Sequence, residues 1–85
     1  MNTQHVRYFL AICEELNFTR AARICGISQP TITVAIKRME RTIGGALFLR
    51  STHAPHVQLT SLALRLYPIF VQMNELLQEV SKISG

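Results

Sequence analysis

The chain of 85 residues lacks the features that would place it in several common classes. Its two cysteines, Cys13 and Cys25, form no C-x-x-C pair, which argues against a disulfide framework or a paired-thiol metal or redox site. Each falls on the apolar stripe of a predicted helix, where a free cysteine behaves as a small buried hydrophobe. No apolar run approaches the roughly 20 residues that span a bilayer. The opening Met1-Asn2-Thr3-Gln4-His5 lacks the charged-then-apolar pattern of a secretory leader, so a cytoplasmic protein is expected. Chemistry-bearing constellations are missing too. There is no glycine-rich phosphate loop, Ser28 has no nearby base, and Glu14 and Glu15 are adjacent, so on a helix they point in different directions. An enzyme is not expected, and neither is a cofactor.

Acidic residues are scarcest in the middle. Between Asn17 and Tyr67 only Glu40 opposes Arg20, Arg23, Lys37, Arg38, Arg41, Arg50 and Arg65, whereas both ends of the chain are slightly acidic. The formal net charge of +4 therefore understates a basic central segment, which is the usual footprint of a polyanion binder. Charge alone does not separate that reading from an ordinary solvated basic surface.

What is present is a helical pattern with 48% hydrophobic residues, enough for the core of one small domain. Val6, Phe9, Leu10, Cys13 and Leu16 repeat at three and four, predicting a helix from Thr3 to Leu16. Asn17, Phe18 and Thr19 break the pattern and offer capping side chains, so a second, short helix is expected to start near Thr19. Ala21, Ala22 and Cys25 face inward along it. Gly26 stands where a left-handed terminal residue is wanted. Ser28 then caps a third helix from Gln29 to Ile43, in which Pro30 is tolerated at the first turn. Its inward set is Ile32, Ile36, Met39 and Ile43, and its outward face shows Thr33, Val34, Lys37, Arg38 and Arg41. Two short extended runs, Leu47–Arg50 and Val57–Leu59, flank a polar stretch and predict a small β-hairpin. Thr60 or Ser61 caps a last helix reaching to about Ile83. Along it Leu62, Leu66, Ile69, Met73, Leu76, Val80 and Ile83 step by four and three, a heptad seam that signals helix–helix association. Pro68 lies inside it and should bend it locally.

Three helices, a very short second connection and a following hairpin describe a mainly α, winged helix-turn-helix fold over residues 1–60. The motif itself covers 18–37, and a linker or dimerisation helix follows over 61–85. Ala22 is small where two helices must cross, and Ile27, Ile32 and Ala35 fill the space between them. In such a motif the N-terminal part of the third helix meets base edges while its neighbours grip phosphate. Gln29 can pair bidentately with adenine, Thr31 and Thr33 can bond to bases or phosphate, and Pro30 and Val34 can lie against thymine methyls. Lys37 and Arg38 are placed for phosphate, and Arg20 can add a contact from the second helix.

The run Phe18-Thr19-Arg20-Ala21-Ala22, with Ile27-Ser28-Gln29-Pro30-Thr31-Ile32-Thr33, resembles the N-terminal DNA-binding domain of LysR-type transcriptional regulators. Tyr8-Phe9-Leu10, Ile43-Gly44-Gly45-Ala46-Leu47-Phe48, Arg50 and Leu59-Thr60 match as well. The resemblance covers essentially the whole chain. It implies a bacterial transcription regulator that binds double-stranded DNA as a homodimer through the linker helix (Leu62, Leu66, Ile69, Met73, Leu76, Val80), with a higher oligomer open to a full-length protein. Carried over, it makes Gln29, Pro30 and Thr33 base- or groove-facing, and Thr19, Ser28 and Thr31 around them complete the expected DNA-binding set. It places Arg50 and the wing at 48–59, including Thr52 and His53, on the backbone or minor groove. The chain departs from the family where Val34 replaces a common arginine and Ala35 a polar residue. The wing also lacks a further basic residue, its nearest candidates being His53 and His56, and Ser61-Leu62-Ala63 replaces an acidic residue with an Ala-Gly pair. In the family an effector-sensing domain follows the linker helix, and Gly85 falls about where it would begin. A piece of a longer regulator is therefore expected, the alternative being a free-standing small one.

His53 and His56 offer too few ligands for a structural zinc, which wants four. The last helix carries too few cations for a membrane-surface helix. The remaining rival is a winged-helix module turned to protein interaction, which need not keep a basic, Gln- and Thr-bearing face on its third helix.

Overall fold

The computed structural model describes residues 2–50 and 56–84. Its order is α1 (Thr3–Glu15), α2 (Phe18–Cys25), α3 (Gln29–Ile43), β1 (Phe48–Arg50), β2 (Val57–Leu59) and α4 (Ser61–Ser84). The two strands form an antiparallel hairpin with Phe48 opposite Leu59 and Arg50 opposite Val57. This is a winged helix-turn-helix followed by a long helix. Thr52 and His53, expected to serve the wing's DNA contact, lie outside the described residues.

Side-chain caps set the first three helix starts. Asn2, Asn17 and Ser28 each accept the backbone N–H three residues on, from His5, Arg20 and Thr31, so each satisfies one of the donors a helix start leaves free. Asn17 is itself buried. The first two boundaries fall slightly away from the sequence expectation. Helix α1 stops at Glu15 because Leu16 turns left-handed (φ 52°), and its carbonyl then accepts the Val57 N–H of the wing at 3.0 Å. Helix α2 begins at Phe18, directly after its asparagine cap. At the turn into α3, Gly26 adopts φ 72°, a conformation glycine takes without steric cost, while the Ile27 N–H returns to the Ala22 carbonyl.

The core joins all four helices and the wing. Phe18 meets Phe48 edge to face, Phe48 lies 5.5 Å from Phe9, and Phe9 meets Phe70 at 4.9 Å. Aromatics from α2, β1, α1 and α4 therefore run in one chain of contacts, each worth somewhat more than its buried area alone. Val6, Ile12, Ile32, Met39 and Leu47 fill the remaining space and are fully buried. Ala35 is buried, and Ile43 packs at the margin of this core. Gly45 passes close under α4, where a Cβ would come within 2.8 Å of Leu62.

Helix α4 is anchored at its start. The Thr60 hydroxyl donates to the Ala46 carbonyl at 2.7 Å and accepts the Ala63 N–H at 3.2 Å. Ala63 and Phe70 are buried against the domain, and Leu62 and Leu66 pack beside them. The heptad reading of this helix thus divides. Leu62 and Leu66 meet the domain's own core because the first turns of α4 lie across it. Ile69, Leu76 and Val80 are 52%, 66% and 60% exposed, and Met73 and Ile83 are exposed with them.

Candidate nucleic-acid interface

Because one stripe of α3 packs into the core through Ile32, Ala35, Ile36 and Met39, the other must face out. Pro30, Thr31, Val34, Lys37 and Arg38 are exposed, and Gln29 and Thr33 are half-buried. At the N-terminus of the helix the polar side chains are already organised. The Ser28 hydroxyl takes the Thr31 N–H at 3.2 Å and lies 2.8 Å from the Thr31 hydroxyl. The Gln29 side-chain amide donates from Nε2 to Thr33 Oγ1 at 2.9 Å. One of the Ser28 and Thr31 hydroxyls donates to the other, so one proton of the two stays free for an outside acceptor, while Gln29 and Thr33 act as a pair.

Two flanks border this stripe. On one side Lys37 and Thr33 share a small hollow with Phe18, Phe48 and Arg50. Here the Arg50 guanidinium sits 4.1 Å from the centre of the Phe18 ring, a cation–π contact that ties the wing arginine to the start of α2. On the other side an open groove of about 440 Å³ runs between Pro30, Thr31, Val34, Ala35 and Arg38 of α3 and Asn2, Gln4, His5 and Tyr8 at the start of the chain. Sequence reasoning assigned no interface residue to this first segment. The only signal there was the apolar stripe of α1, and the neighbours His5 acquires come from α3, thirty residues on. Arg41 extends the same flank with Thr42, Asn2, His5 and Arg38.

Thr19 and Arg20 lie exposed at the first turn of α2. Arg20 is paired with Glu15 at 3.1 Å, its side chain still largely open to solvent. Glu15 is half-buried, but the open Arg20 guanidinium is screened by solvent, which keeps the pair weak, so the guanidinium can exchange its partner. Val34 is 52% exposed, which makes the centre of the outward face apolar. Neither cysteine contributes: burial pushes the Cys13 thiol up to about 12 and raises that of Cys25. Among the described residues no group of acids, histidines and cysteines could hold a metal ion. No helix there is long and apolar enough to cross a membrane.

A family model described as "Bacterial regulatory helix-turn-helix protein, lysR family" matches residues 3–64. The chain belongs to the LysR family. Relatives of this LysR-family chain include the regulator BudR of Klebsiella aerogenes, 47% identical over 60 residues that make up 71% of this chain and 41% of that protein. IlvR of Caulobacter vibrioides is 38% identical over 68 residues, 80% of this chain and 22% of the relative. The LysR-family chain thus spans about two fifths or less of the length of these relatives. Among solved structures it resembles the DNA-binding domain of CbnR in complex with DNA, with a TM-score of 0.89 at 27% identity over 99% of this chain and 94% of that one. The BenM DNA-binding domain bound to its benA site 1 DNA gives 0.85 at 28% identity, over 99% and 92%.

Proposed function

We propose that this LysR-family domain binds double-stranded DNA sequence-specifically, as the DNA-binding part of a bacterial transcription regulator acting in the cytoplasm. The observation that carries the reading is the outward face of α3, which half-buried Gln29 and Thr33 and exposed Lys37 border on one flank and exposed Arg38 on the other. DNA complexes of the similar CbnR and BenM domains support it. In this reading α3 enters the major groove, with Gln29, Pro30, Thr33 and Val34 toward base edges. Thr19, Arg20, Ser28, Thr31, Lys37 and Arg38 meet the backbone, and Arg50, Thr52 and His53 serve the wing's contact with the backbone or minor groove. The exposed Ile69, Met73, Leu76 and Val80 pair two copies through α4, which implies a roughly palindromic site. A higher oligomer and an effector response belong to a longer protein.

Duplex binding across a salt series tests this. Log affinity should fall linearly with log salt, with a slope near −0.9 for each phosphate neutralised. A selected site should bind at least about a thousandfold tighter than random duplex. A flat salt response, or equal affinity for all sequences at every salt, overturns the proposal.

A further inference from the structure

The half-buried hydrogen bond between Gln29 and Thr33 has a direction. Gln29 Nε2 is the donor, at 2.9 Å, and Thr33 Oγ1 the acceptor, one helical turn on. A glutamine amide carries two N–H donors and one carbonyl acceptor. With one N–H held by Thr33, the amide keeps Oε1 and the second N–H, an acceptor beside a donor. That pair matches the N6 donor and N7 acceptor on the major-groove edge of adenine. Guanine shows two acceptors there, so the held Oε1 would face O6 with lone pairs opposed. A glutamine free to rotate could turn its NH₂ toward guanine instead.

The direction of the bond also suits a DNA surface. Thr33 Oγ1 uses a lone pair on Gln29 and keeps its own proton, and phosphate oxygens nearby are acceptors only. DNA therefore draws that proton outward and leaves the lone pair to the amide. We propose that Thr33 is a positioning residue for Gln29, holding its amide in the one orientation that selects adenine and disfavours guanine. The inference rests on the DNA-binding reading above and adds, to Thr33's place on that face, an action through Gln29.

The test uses the 85-residue chain on duplexes varied at each base pair of its selected site. Gln29→Ala first marks the base pair whose preference depends on that amide. Thr33→Val, which keeps the shape and removes the hydroxyl, should lower adenine-over-guanine preference at that same pair by roughly tenfold. The loss of adenine preference at that pair should exceed any loss of affinity for random duplex, and Thr33→Ser should restore the preference. The proposal is overturned if Thr33→Val leaves that preference intact, shifts preference at a different base pair, or weakens all sequences equally. A wild-type chain that prefers no sequence overturns the DNA-binding reading and this inference with it. A preference that survives Gln29→Ala overturns only the inference.

Discussion

His5 lies one turn into α1 and faces the basic side of α3, with Nδ1 buried and, among the described residues, without a hydrogen-bond partner. Burial, then nearby positive charge with Arg38 included, lowers its pKa from the ordinary 6.5. The unfolded chain therefore takes up a proton through that range which the folded chain resists. The stability is fully present above pH 6.5 and is lost as pH falls toward the lowered folded value. His5→Gln should flatten this acid sensitivity, seen as a smaller drop in Tm than wild type between about pH 7.5 and about pH 5. Identical drops in the two proteins would mean that His5 does not carry it. Gly26 poses a purely conformational question, since φ is +72° and nothing among the described residues lies within 4 Å of where a Cβ would be. Gly26→Ala should cost about 1 kcal/mol in chemical denaturation through left-handed strain, and Gly26→Asn less.

Among the elements, the junction of α3 and the wing depends on one side chain. Glu40 accepts the N–H groups of Gly44 and Gly45 on its backbone carbonyl. Its carboxylate takes the Leu47 N–H at 2.7 Å. The single acid of the basic middle segment thus closes the end of α3 and fixes the residue that leads into the wing. Glu40→Ala leaves the Leu47 N–H without that partner and should destabilise by about 1–3 kcal/mol, while Glu40→Gln keeps an acceptor and should lose less. Urea titrations of both variants decide it, and equal losses would point to the charge and not the bond. Most of these elements were legible in the sequence because their causes are local. Asparagine and serine caps, Gly26 and the inward stripe of α3 all act within a turn or two of themselves. The end of α1 was not legible, since Leu16 turns left-handed where its carbonyl meets Val57, far along the chain.

On the scale of the whole molecule α4 has two roles on one continuous repeat. Leu66 belongs to the domain's own packing, so Leu66→Ala should lower stability by about 2 kcal/mol and leave association comparatively untouched. Leu76, 66% exposed, stands on the free face. Leu76→Glu should leave the unfolding midpoint of the monomer unchanged and weaken self-association in sedimentation equilibrium. Undiminished association of that variant would mean that two copies do not meet through this face. By itself the sequence determined the helix-turn-helix, its caps and the outward set on α3, because intervals of three and four within one helix decide which residues share a face. Only the tertiary structure decided which part of the heptad seam meets the chain's own core, that Phe70 completes the aromatic cluster, and that His5 lines a flank of α3. A repeat states that a helix has an apolar side; the partner that side meets depends on where the chain folds back in space.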